Sequence, residues 1–254
     1  RIELPIVYAG YPITPASEIL HTLAALKQFD VAAIQTEDEI AAVTMALGAA
    51  YGGSLGITGS SGPGLALKIE AINLAVMTEL PLIIFNFMRS GISTGMPTKT
   101  EQGDLAMALF GRPSDSHLIV LAPESASDCF WISIEAVRLA TKYMTPVIVL
   151  SEGFLVNASE PWKLPDLSTI PEMKAPFRTN PKDYLPYKRN KETLARDWVR
   201  IGTKGLEHTI GGLEKINETG AISQDPDNHD LMTRLRAEKV QREQNDIQEV
   251  EILG

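Results

Sequence analysis

Apolar runs and stretches with helical spacing alternate along the first two thirds of the chain. Six mainly apolar runs predict strands, at residues 5–9, 31–35, 54–58, 80–87, 117–122 and 146–151. Between them, apolar side chains recur every three or four residues and predict helices at 16–29, 65–78 and 125–143, with a further helix after Glu39. This alternation favours an α/β fold, a parallel sheet flanked by helices on both faces.

The continuous apolar run at 80–87 is typical of a central strand in such a sheet. Ligands bind parallel sheets at the carboxyl ends of the strands. We therefore expect a site among the loops that follow Ala9, Gln35, Thr58 and Phe87.

Three carboxylates, Glu37, Asp38 and Glu39, stand directly before a helix that is apolar nearly all round. A helix of this composition is expected to be buried. A carboxylate at its start is either a solvated residue that interacts with the helix dipole, or an acid held in an apolar pocket with a shifted pKa. The residues alone leave both interpretations open.

Two loops with unusual composition follow predicted strands. In YPITPAS, residues 11–17, Pro12 and Pro15 prevent helix formation and indicate a stiff loop. GSSGPG, residues 59–64, has the glycine spacing of a phosphate-binding loop, but Leu65 and Ala66 stand where that loop needs Lys and Ser or Thr. The turn is therefore not expected to bind a nucleotide phosphate.

The character of the chain changes after Trp162. Residues 163–229 are rich in Pro, Asn, Lys, Asp and Gly, and 230–249 predict a highly charged helix. We predict an α/β domain over 1–162 and an extended polar arm over 163–254, which lies on a partner or another domain because it cannot build its own core.

Composition excludes several classes of function. The 254 residues are 44% hydrophobic, which is ample for a core, and a net charge of −9 disfavours sequence-independent binding to nucleic acid. A single cysteine, Cys129, excludes an internal disulfide and an iron–sulfur cluster held by this chain alone, which favours a cytoplasmic location. No apolar run approaches the roughly 20 residues that span a membrane. The four histidines lack metal-ligand spacing.

One pattern supports a hydrolase. Residues 91–95 match the Gly-x-Ser-x-Gly motif around a nucleophilic serine, here Ser93, and Asp104 or Asp115 with His117 could complete a triad. That motif needs a helix directly after the serine, and the residues that follow disfavour one. The hydrolase remains an alternative.

Five separated motifs together resemble the alpha subunit of 2-oxoacid:ferredoxin oxidoreductases, most closely the 2-oxoglutarate type. They are YPITP at 11–15, EDEIAAV at 37–43, TGSSGPGL at 58–65, MRSGISTGMPTKTEQGDL at 88–105 and GLEHTIGGLE at 205–214. The family uses thiamine diphosphate, and this chain resembles its pyrimidine-binding domain. The resemblance implies the thiamine-diphosphate pyrimidine-domain type of α/β fold.

The resemblance also implies a role for one glutamate. In this enzyme class a buried glutamate hydrogen-bonds the aminopyrimidine ring and favours its imino tautomer. The exocyclic nitrogen of that tautomer deprotonates a thiazolium carbon, and this carbon then attacks the oxoacid. That glutamate tends to stand nine residues before a helix glycine, as Glu39 stands before Gly48. We therefore expect Glu39 to be catalytic, with Glu37 and Asp38 as solvated or capping neighbours.

Other site residues are expected from the same motifs. Thr14 resembles the threonine that approaches cofactor and substrate, although its hydroxyl could equally satisfy a helix start. Arg89 is the first candidate to bind the oxoacid carboxylate, Lys99 is the second, and an exposed salt bridge is the alternative for either. The loop 90–102 could close over the substrate. The pyrimidine side of the pocket is expected to be lined by Pro12, Ile13, Ser60, Ser61 and Gly62.

The departures from the family pattern predict partners. The chain lacks the Gly-Asp-Gly sequence and downstream Asn that hold the diphosphate and Mg²⁺, so these are expected on a beta subunit that also carries the iron–sulfur cluster. A coenzyme A domain, a further C-terminal domain and ferredoxin as electron acceptor complete the expected hetero-oligomer, and the chain alone is expected to be inactive. Pyruvate or a branched-chain 2-oxoacid as substrate, and a noncatalytic binding scaffold, remain alternatives.

Overall fold

The computed structural model describes residues 3–170, 172, 173, 175 and 177–247. A six-stranded parallel sheet forms its centre, in the order β2-β1-β3-β4-β6-β5. The strands are β1 Ile6–Gly10, β2 Val31–Gln35, β3 Leu55–Ser60, β4 Leu82–Met88, β5 Ile119–Leu121 and β6 Pro146–Glu152. The predicted α/β parallel sheet is confirmed, and the run at 80–87 does form an interior strand.

Seven α-helices and two 3-10 helices accompany the sheet within the described residues. The α-helices are α1 Ser17–Ala25, α2 Glu39–Gly52, α3 Pro63–Thr78, α4 Asp104–Phe110, α5 Asp128–Tyr143, α6 Gly153–Asn157 and α7 Pro226–Gln241; the 3-10 helices are Leu167–Thr169 and Arg242–Asn245. The sequence pattern missed α4 and α6, which are too short for a clear periodicity. It also extended α1 to Phe29, which lies beyond the helix and is 59% exposed.

Alternate side chains of β4 point to two hydrophobic layers. Leu82 and Ile84 pack with the buried faces of α2 and α3, whereas Ile83 and Phe85 pack with α5. Side chains alternate between the faces of a strand, so an apolar run becomes buried only when helices cover both faces. The fold has helices on both sides of the sheet for this reason.

The expectation that α2 is buried all round is wrong for this chain. Ala42, Val43 and Ala46 are fully buried, but Ile40 is 53% exposed and Met45 is 40% exposed. The helix touches the sheet and α3 on one side only, so its other apolar side lies on the surface of the described residues.

The segment after Trp162 packs against the α/β domain of the same chain. Trp198 is 1% exposed, joins the α5-side core and donates from Nε1 to the Ala50 carbonyl oxygen at 3.0 Å. The charged helix begins at Pro226, four residues before the predicted start, and the last residues of the prediction, from 248 onward, lie outside the described residues. The division into two domains at residue 162 stays a prediction.

Candidate active site

Three loops at the carboxyl ends of the strands converge on the start of α2. The backbone joins them, because Thr36, just after β2, donates from its hydroxyl to the Gly10 carbonyl oxygen at 3.2 Å and from its amide at 2.7 Å. The turn after β3 leads directly into α3. The edge of the sheet expected to bind a ligand therefore carries the predicted residues.

Gly64 lies at the centre of the first group of side chains. A methyl group at this position would stand 2.3 Å from the Tyr11 hydroxyl, 2.5 Å from Ser60 Oγ and 3.2 Å from Glu39 Cγ. The Tyr11 hydroxyl and Ser60 Oγ are themselves hydrogen-bonded at 3.1 Å. Burial raises the pKa of Tyr11, and the Glu39 carboxylate acts in the same direction, so this tyrosine stays a neutral hydroxyl.

The three carboxylates before α2 have different surroundings. Asp38 is the helix N-cap, and its Oδ1 accepts from the Ala41 amide at 2.8 Å. Glu37 is exposed, whereas Glu39 is half-buried against Gly64. The expectation that Glu37 is solvated and Asp38 caps the helix is confirmed, and Glu39 is the carboxylate that faces the turn after β3.

Arg89 forms a second group beside the first. It follows β4, is 8% exposed, and donates from Nη1 to the Thr14 carbonyl oxygen at 3.3 Å. A methyl group on Gly62 would stand 3.1 Å from Arg89 Cγ and Nε. Arg89 Nε is buried without a hydrogen-bond partner, so the guanidinium keeps donor capacity inside the site.

The loop of residues 11–17 is held in place by Ser17. Its Oγ donates to the Ile13 carbonyl oxygen and accepts from the Ile13 amide, both at 3.0 Å. Pro12 and Thr14 are exposed, and no side chain caps α1, so Thr14 does not serve as its cap. The carbonyl of Thr14, rather than its hydroxyl, contacts Arg89.

Ser61 and Lys99 complete the set of predicted residues. Ser61 is buried, and its Oγ has no hydrogen-bond partner. Lys99 is exposed in the loop 90–102, where its carbonyl oxygen accepts from the Ser90 amide at 2.9 Å. The same loop is held by the Gly91 amide, which donates to Glu101 Oε2 at 2.7 Å. Closure of this loop over a substrate stays a prediction.

The structure does not support a hydrolase site at Ser93. Ser93 is exposed in a loop, and the next helix, α4, begins only at Asp104. Asp104 is buried and accepts from Asn86 Nδ2 at 2.8 Å, whereas His117 Nδ1 lies 3.3 Å from the Asp115 carbonyl oxygen. The strand–turn–helix that aims a nucleophilic serine is missing at this position.

Two residues of the site escaped the sequence analysis. Tyr11 stood inside a recognised motif, but no role was given to its hydroxyl. Lys68 is fully buried in α3 and donates from Nζ to the Glu39 carbonyl oxygen at 2.8 Å. A lysine flanked by Leu67 and Ile69 in a mainly apolar helix was the available signal.

The part of the chain that the structure describes carries neither a metal-binding cluster nor a helix that could span a membrane. No group of three or more His, Cys, Asp or Glu side chains there is arranged to hold a metal ion. None of the helices there has the length and apolarity to cross a bilayer.

Comparison with known proteins identifies the family. Residues 3–249 match the family described as pyruvate flavodoxin/ferredoxin oxidoreductase, thiamine diphosphate-binding. The chain belongs to this family. The resemblance expected from the five motifs is thereby confirmed.

Relatives within this oxidoreductase family share much of the sequence. The 2-oxoglutarate oxidoreductase subunit KorA of Mycobacterium tuberculosis is 55% identical over 93% of this chain and 36% of its own length. The 2-oxoglutarate synthase subunit KorA of Archaeoglobus fulgidus is 40% identical over 81% of this chain and 56% of its own length.

The fold also matches a solved oxidoreductase. A structure of 2-oxoglutarate:ferredoxin oxidoreductase from Magnetococcus marinus, with 2-oxoglutarate, coenzyme A and succinyl-CoA bound, superposes with a TM-score of 0.93 and 36% identity. The match covers 98% of this chain and 43% of that one. The chain thus spans less than two thirds of the proteins it resembles.

The residues present fit thiamine diphosphate, the group named in the description of the family. Gly62 and Gly64 leave room for close approach, and Ser61 Oγ and Arg89 Nε are buried with hydrogen-bonding capacity unused. The Glu39 side chain, whose Cγ lies near Gly64, adds a carboxylate that can accept a hydrogen bond. A flat ring with polar edge atoms is the kind of group that such a set can hold.

Proposed function

We propose that this chain is the pyrimidine-binding part of the alpha subunit of an oxidoreductase that oxidatively decarboxylates 2-oxoglutarate to its acyl-CoA and reduces ferredoxin. The names of the two KorA relatives and the ligands named for the Magnetococcus marinus structure support this assignment. The single observation that carries it is the convergence of Glu39, Ser60 and Tyr11 around Gly64 at the carboxyl end of the sheet.

Glu39 is the catalytic residue in this proposal. Thiamine diphosphate, when bound, supplies a thiazolium carbon that becomes a nucleophile toward the keto carbon of an oxoacid. Glu39 shares a proton with the pyrimidine ring nitrogen, and its half-buried position beside the neutral Tyr11 hydroxyl limits competition from water. Ser60, Ser61 and Gly62, together with Pro12 and Ile13, form the wall on the pyrimidine side.

Arg89 binds the substrate carboxylate in this proposal, with Thr14 beside it. The guanidinium is nearly buried, follows a central strand and can donate two parallel hydrogen bonds to a carboxylate. Lys99, the second candidate, is exposed on the loop 90–102, where water screens its charge. The geometry therefore favours Arg89, and Lys99 contributes only if that loop closes.

The partner subunits follow from what this chain does not provide. We propose that a beta subunit holds the diphosphate, Mg²⁺ and the iron–sulfur cluster, and that a coenzyme A domain and ferredoxin complete the hetero-oligomer. The sequence has no Gly-Asp-Gly motif and only one cysteine, Cys129. That single cysteine also supports a cytoplasmic site of action.

Pyruvate is the second candidate substrate, because the matching family is described by its pyruvate-oxidising members. 2-Oxoglutarate and pyruvate both present a 2-oxo group and an adjacent carboxylate to the same residues. They differ in the group attached to the other side of the keto carbon. Activity measured with 2-oxoglutarate, pyruvate and a branched-chain 2-oxoacid in parallel decides between them.

The test is oxoacid-dependent reduction of ferredoxin or a viologen dye by the full-length protein assembled with its partner subunit, in the presence of coenzyme A and thiamine diphosphate. Glu39→Gln removes the shared proton and is expected to lower turnover by roughly 10²- to 10⁴-fold, the usual contribution of a positioned acid or base. Glu37→Gln, an exposed neighbour, is the matched control and should behave as wild type.

Two results would contradict the proposal. Turnover that is equal in wild type and Glu39→Gln would leave the domain as a noncatalytic scaffold. Absence of activity with every oxoacid, in a complex that binds thiamine diphosphate, would show that the fold has been kept for another reaction.

A further inference from the structure

Lys68 is a charged side chain buried beneath the candidate site. It lies in the first half of α3 and has no exposed surface. Placing an ammonium group away from water is unfavourable unless specific partners compensate for the lost hydration. A neutral side chain of the same length would fill this position without that cost, so the charge itself requires an explanation.

The partners of the Lys68 amine belong to the site rather than to the distant core. Nζ donates to the Glu39 carbonyl oxygen at 2.8 Å and lies 3.5 Å from Thr58 Oγ1. It also stands 4.8 Å from the centre of the Tyr11 ring, within the range of a cation–π interaction. One amine therefore contacts α2, β3 and the loop after β1.

Helix geometry places Lys68 on the same face of α3 as Gly64. Gly64 and Lys68 are four residues apart in α3, so they lie on the same face, one turn from each other. Gly64 is the residue that touches Tyr11, Ser60 and Glu39. Lys68 and Gly64 therefore both lie against Tyr11 and Glu39, one helix turn apart.

The electrostatics join Lys68 to the carboxylates of α2. Burial lowers the pKa of Lys68 to about 7, while the charges of Glu39 and Asp38 act in the opposite direction. The remaining titratable neighbour, Tyr11, stays neutral because burial raises its pKa. The two carboxylates therefore favour the ammonium form of Lys68.

We propose that Lys68 is a positioning residue for Glu39, holding the main chain at the start of α2 through its hydrogen bond to the Glu39 carbonyl oxygen. The proposal rests on the catalytic role of Glu39 proposed above. Lys68 acts only through Glu39, since its amine is fully buried and donates to the Glu39 carbonyl oxygen.

The experiment uses the full-length protein assembled with its partner subunit and loaded with thiamine diphosphate, in the absence of oxoacid. Two properties are measured: the rate at which the thiazolium C2 hydrogen exchanges with deuterium, by NMR after acid quench, and the circular dichroism signal of the imino tautomer. Lys68→Met is expected to slow exchange about tenfold or more and to weaken the imino signal. Lys68→Arg, which keeps the charge but displaces the donor, should lie between Lys68→Met and wild type.

Lys215 provides a matched control. Its side chain is 2% exposed, its amine donates to two backbone carbonyl oxygens at 2.8 and 2.7 Å, and it lies 5.4 Å from the centre of the Tyr187 ring. Lys215→Met removes an equivalent buried amine, which is distant from Glu39 in sequence and has none of the hydrogen-bond partners of Lys68. It should lower thermal stability without changing exchange rate or tautomer signal.

The outcomes separate this inference from the proposed function. Loss of the imino signal in Glu39→Gln together with a wild-type signal in Lys68→Met would overturn the role of Lys68 alone. A wild-type signal in Glu39→Gln would overturn the proposed function itself. If Lys68→Met fails to assemble, Lys68→Arg decides: wild-type exchange with reduced stability would show that Lys68 is structural only.

Discussion

Individual glycines determine how closely the site residues approach one another. Gly62 has a φ of +47° and lies against Arg89, and Gly64 lies against Tyr11, Ser60 and Glu39. A side chain at position 64 would overlap the Tyr11 hydroxyl at 2.3 Å. Only glycine allows the turn after β3 to bring an acid, a neutral hydroxyl and a guanidinium to one edge of the sheet.

Substrate binding can be tested one residue at a time at Arg89. Replacement of Arg89 by Ala removes charge-assisted hydrogen bonds and is expected to raise the KM for the oxoacid by roughly 10- to 100-fold, the factor that 1.5–3 kcal/mol represents. Arg89→Lys should recover only part of this, because an ammonium cannot donate in a bidentate manner. Steady-state kinetics of the assembled enzyme measure both variants.

Lys99→Ala is the control for this prediction. Its exposed side chain predicts a change in KM of less than about threefold, in line with the small contribution of solvated charges. A large increase in KM for Lys99→Ala with none for Arg89→Ala would reverse the two assignments and show that the loop 90–102 closes over the substrate.

At the scale of elements, α2 packs unusually close to β3. A methyl group on Gly56 would stand 1.9 Å from the Ala46 carbonyl oxygen, a backbone atom that cannot move independently of its helix. Because Glu39 is the first residue of α2, the distance between this helix and the sheet sets where its carboxylate lies. Packing in the core and chemistry at the edge are coupled through one element.

Substitution of two glycines tests this packing. Gly56→Ala should lower the free energy of unfolding by at least about 1–3 kcal/mol, the usual cost of an overpacked core, and should displace α2. Gly48→Ala, in an exposed part of the same helix with no atom within 4 Å of the new methyl group, should raise it by roughly 0.5–1 kcal/mol. Urea denaturation of the full-length chain measures the free energy of unfolding of both variants. Equal changes in the two variants would contradict the close contact between Gly56 and the Ala46 carbonyl oxygen.

At the scale of the whole molecule, a buried ion cluster joins the late part of the chain to the α/β domain. Glu79, fully buried after α3, accepts from Arg189 Nη2 at 2.6 Å and from Lys239 Nζ at 2.7 Å. Lys239 belongs to α7, and Arg189 belongs to the irregular segment before it. The cluster therefore ties three distant parts of the sequence together.

Removal of the charge at Glu79 leaves two buried cations without their partner. Glu79→Gln is expected to lower the free energy of unfolding by about 3–5 kcal/mol, as for other broken buried pairs. Asp230→Asn breaks an exposed pair with Arg234, at 2.8 Å on α7, and should cost less than about 0.5 kcal/mol. Urea denaturation at pH 7 compares them; similar losses in the two variants would argue against the cluster as a tie between domain and arm.

The same cluster predicts a dependence of stability on pH. Burial alone would raise the pKa of Glu79, but Lys239 and Arg189 together hold it well below its usual range. A depressed carboxyl pKa stabilises the fold above the unfolded value of about 4.3, and this stabilisation is lost as pH falls below it. The difference in stability between wild type and Glu79→Gln should therefore be largest near neutral pH and shrink below about pH 4. A constant difference would contradict the shift.

The alternation of strands and helices, the central position of residues 80–87 and the loops that carry the site could all be predicted from the sequence. These features depend on local periodicity and on a general rule for parallel sheets, and both are readable along the chain. The family was also evident from five motifs, because short segments that hold a cofactor tolerate few residue types.

Only the tertiary structure decided which residues of these motifs meet. The exposure of Ile40 and Met45, the contact of Arg89 with Gly62, and the amine of Lys68 beneath Glu39 depend on how helices pack across the sheet. Residues 29 positions apart become hydrogen-bonded neighbours in this way. Periodicity along the chain specifies that one face of a helix or strand is apolar. Contacts between residues distant in sequence specify which element covers that face and whether a charged side chain is buried there.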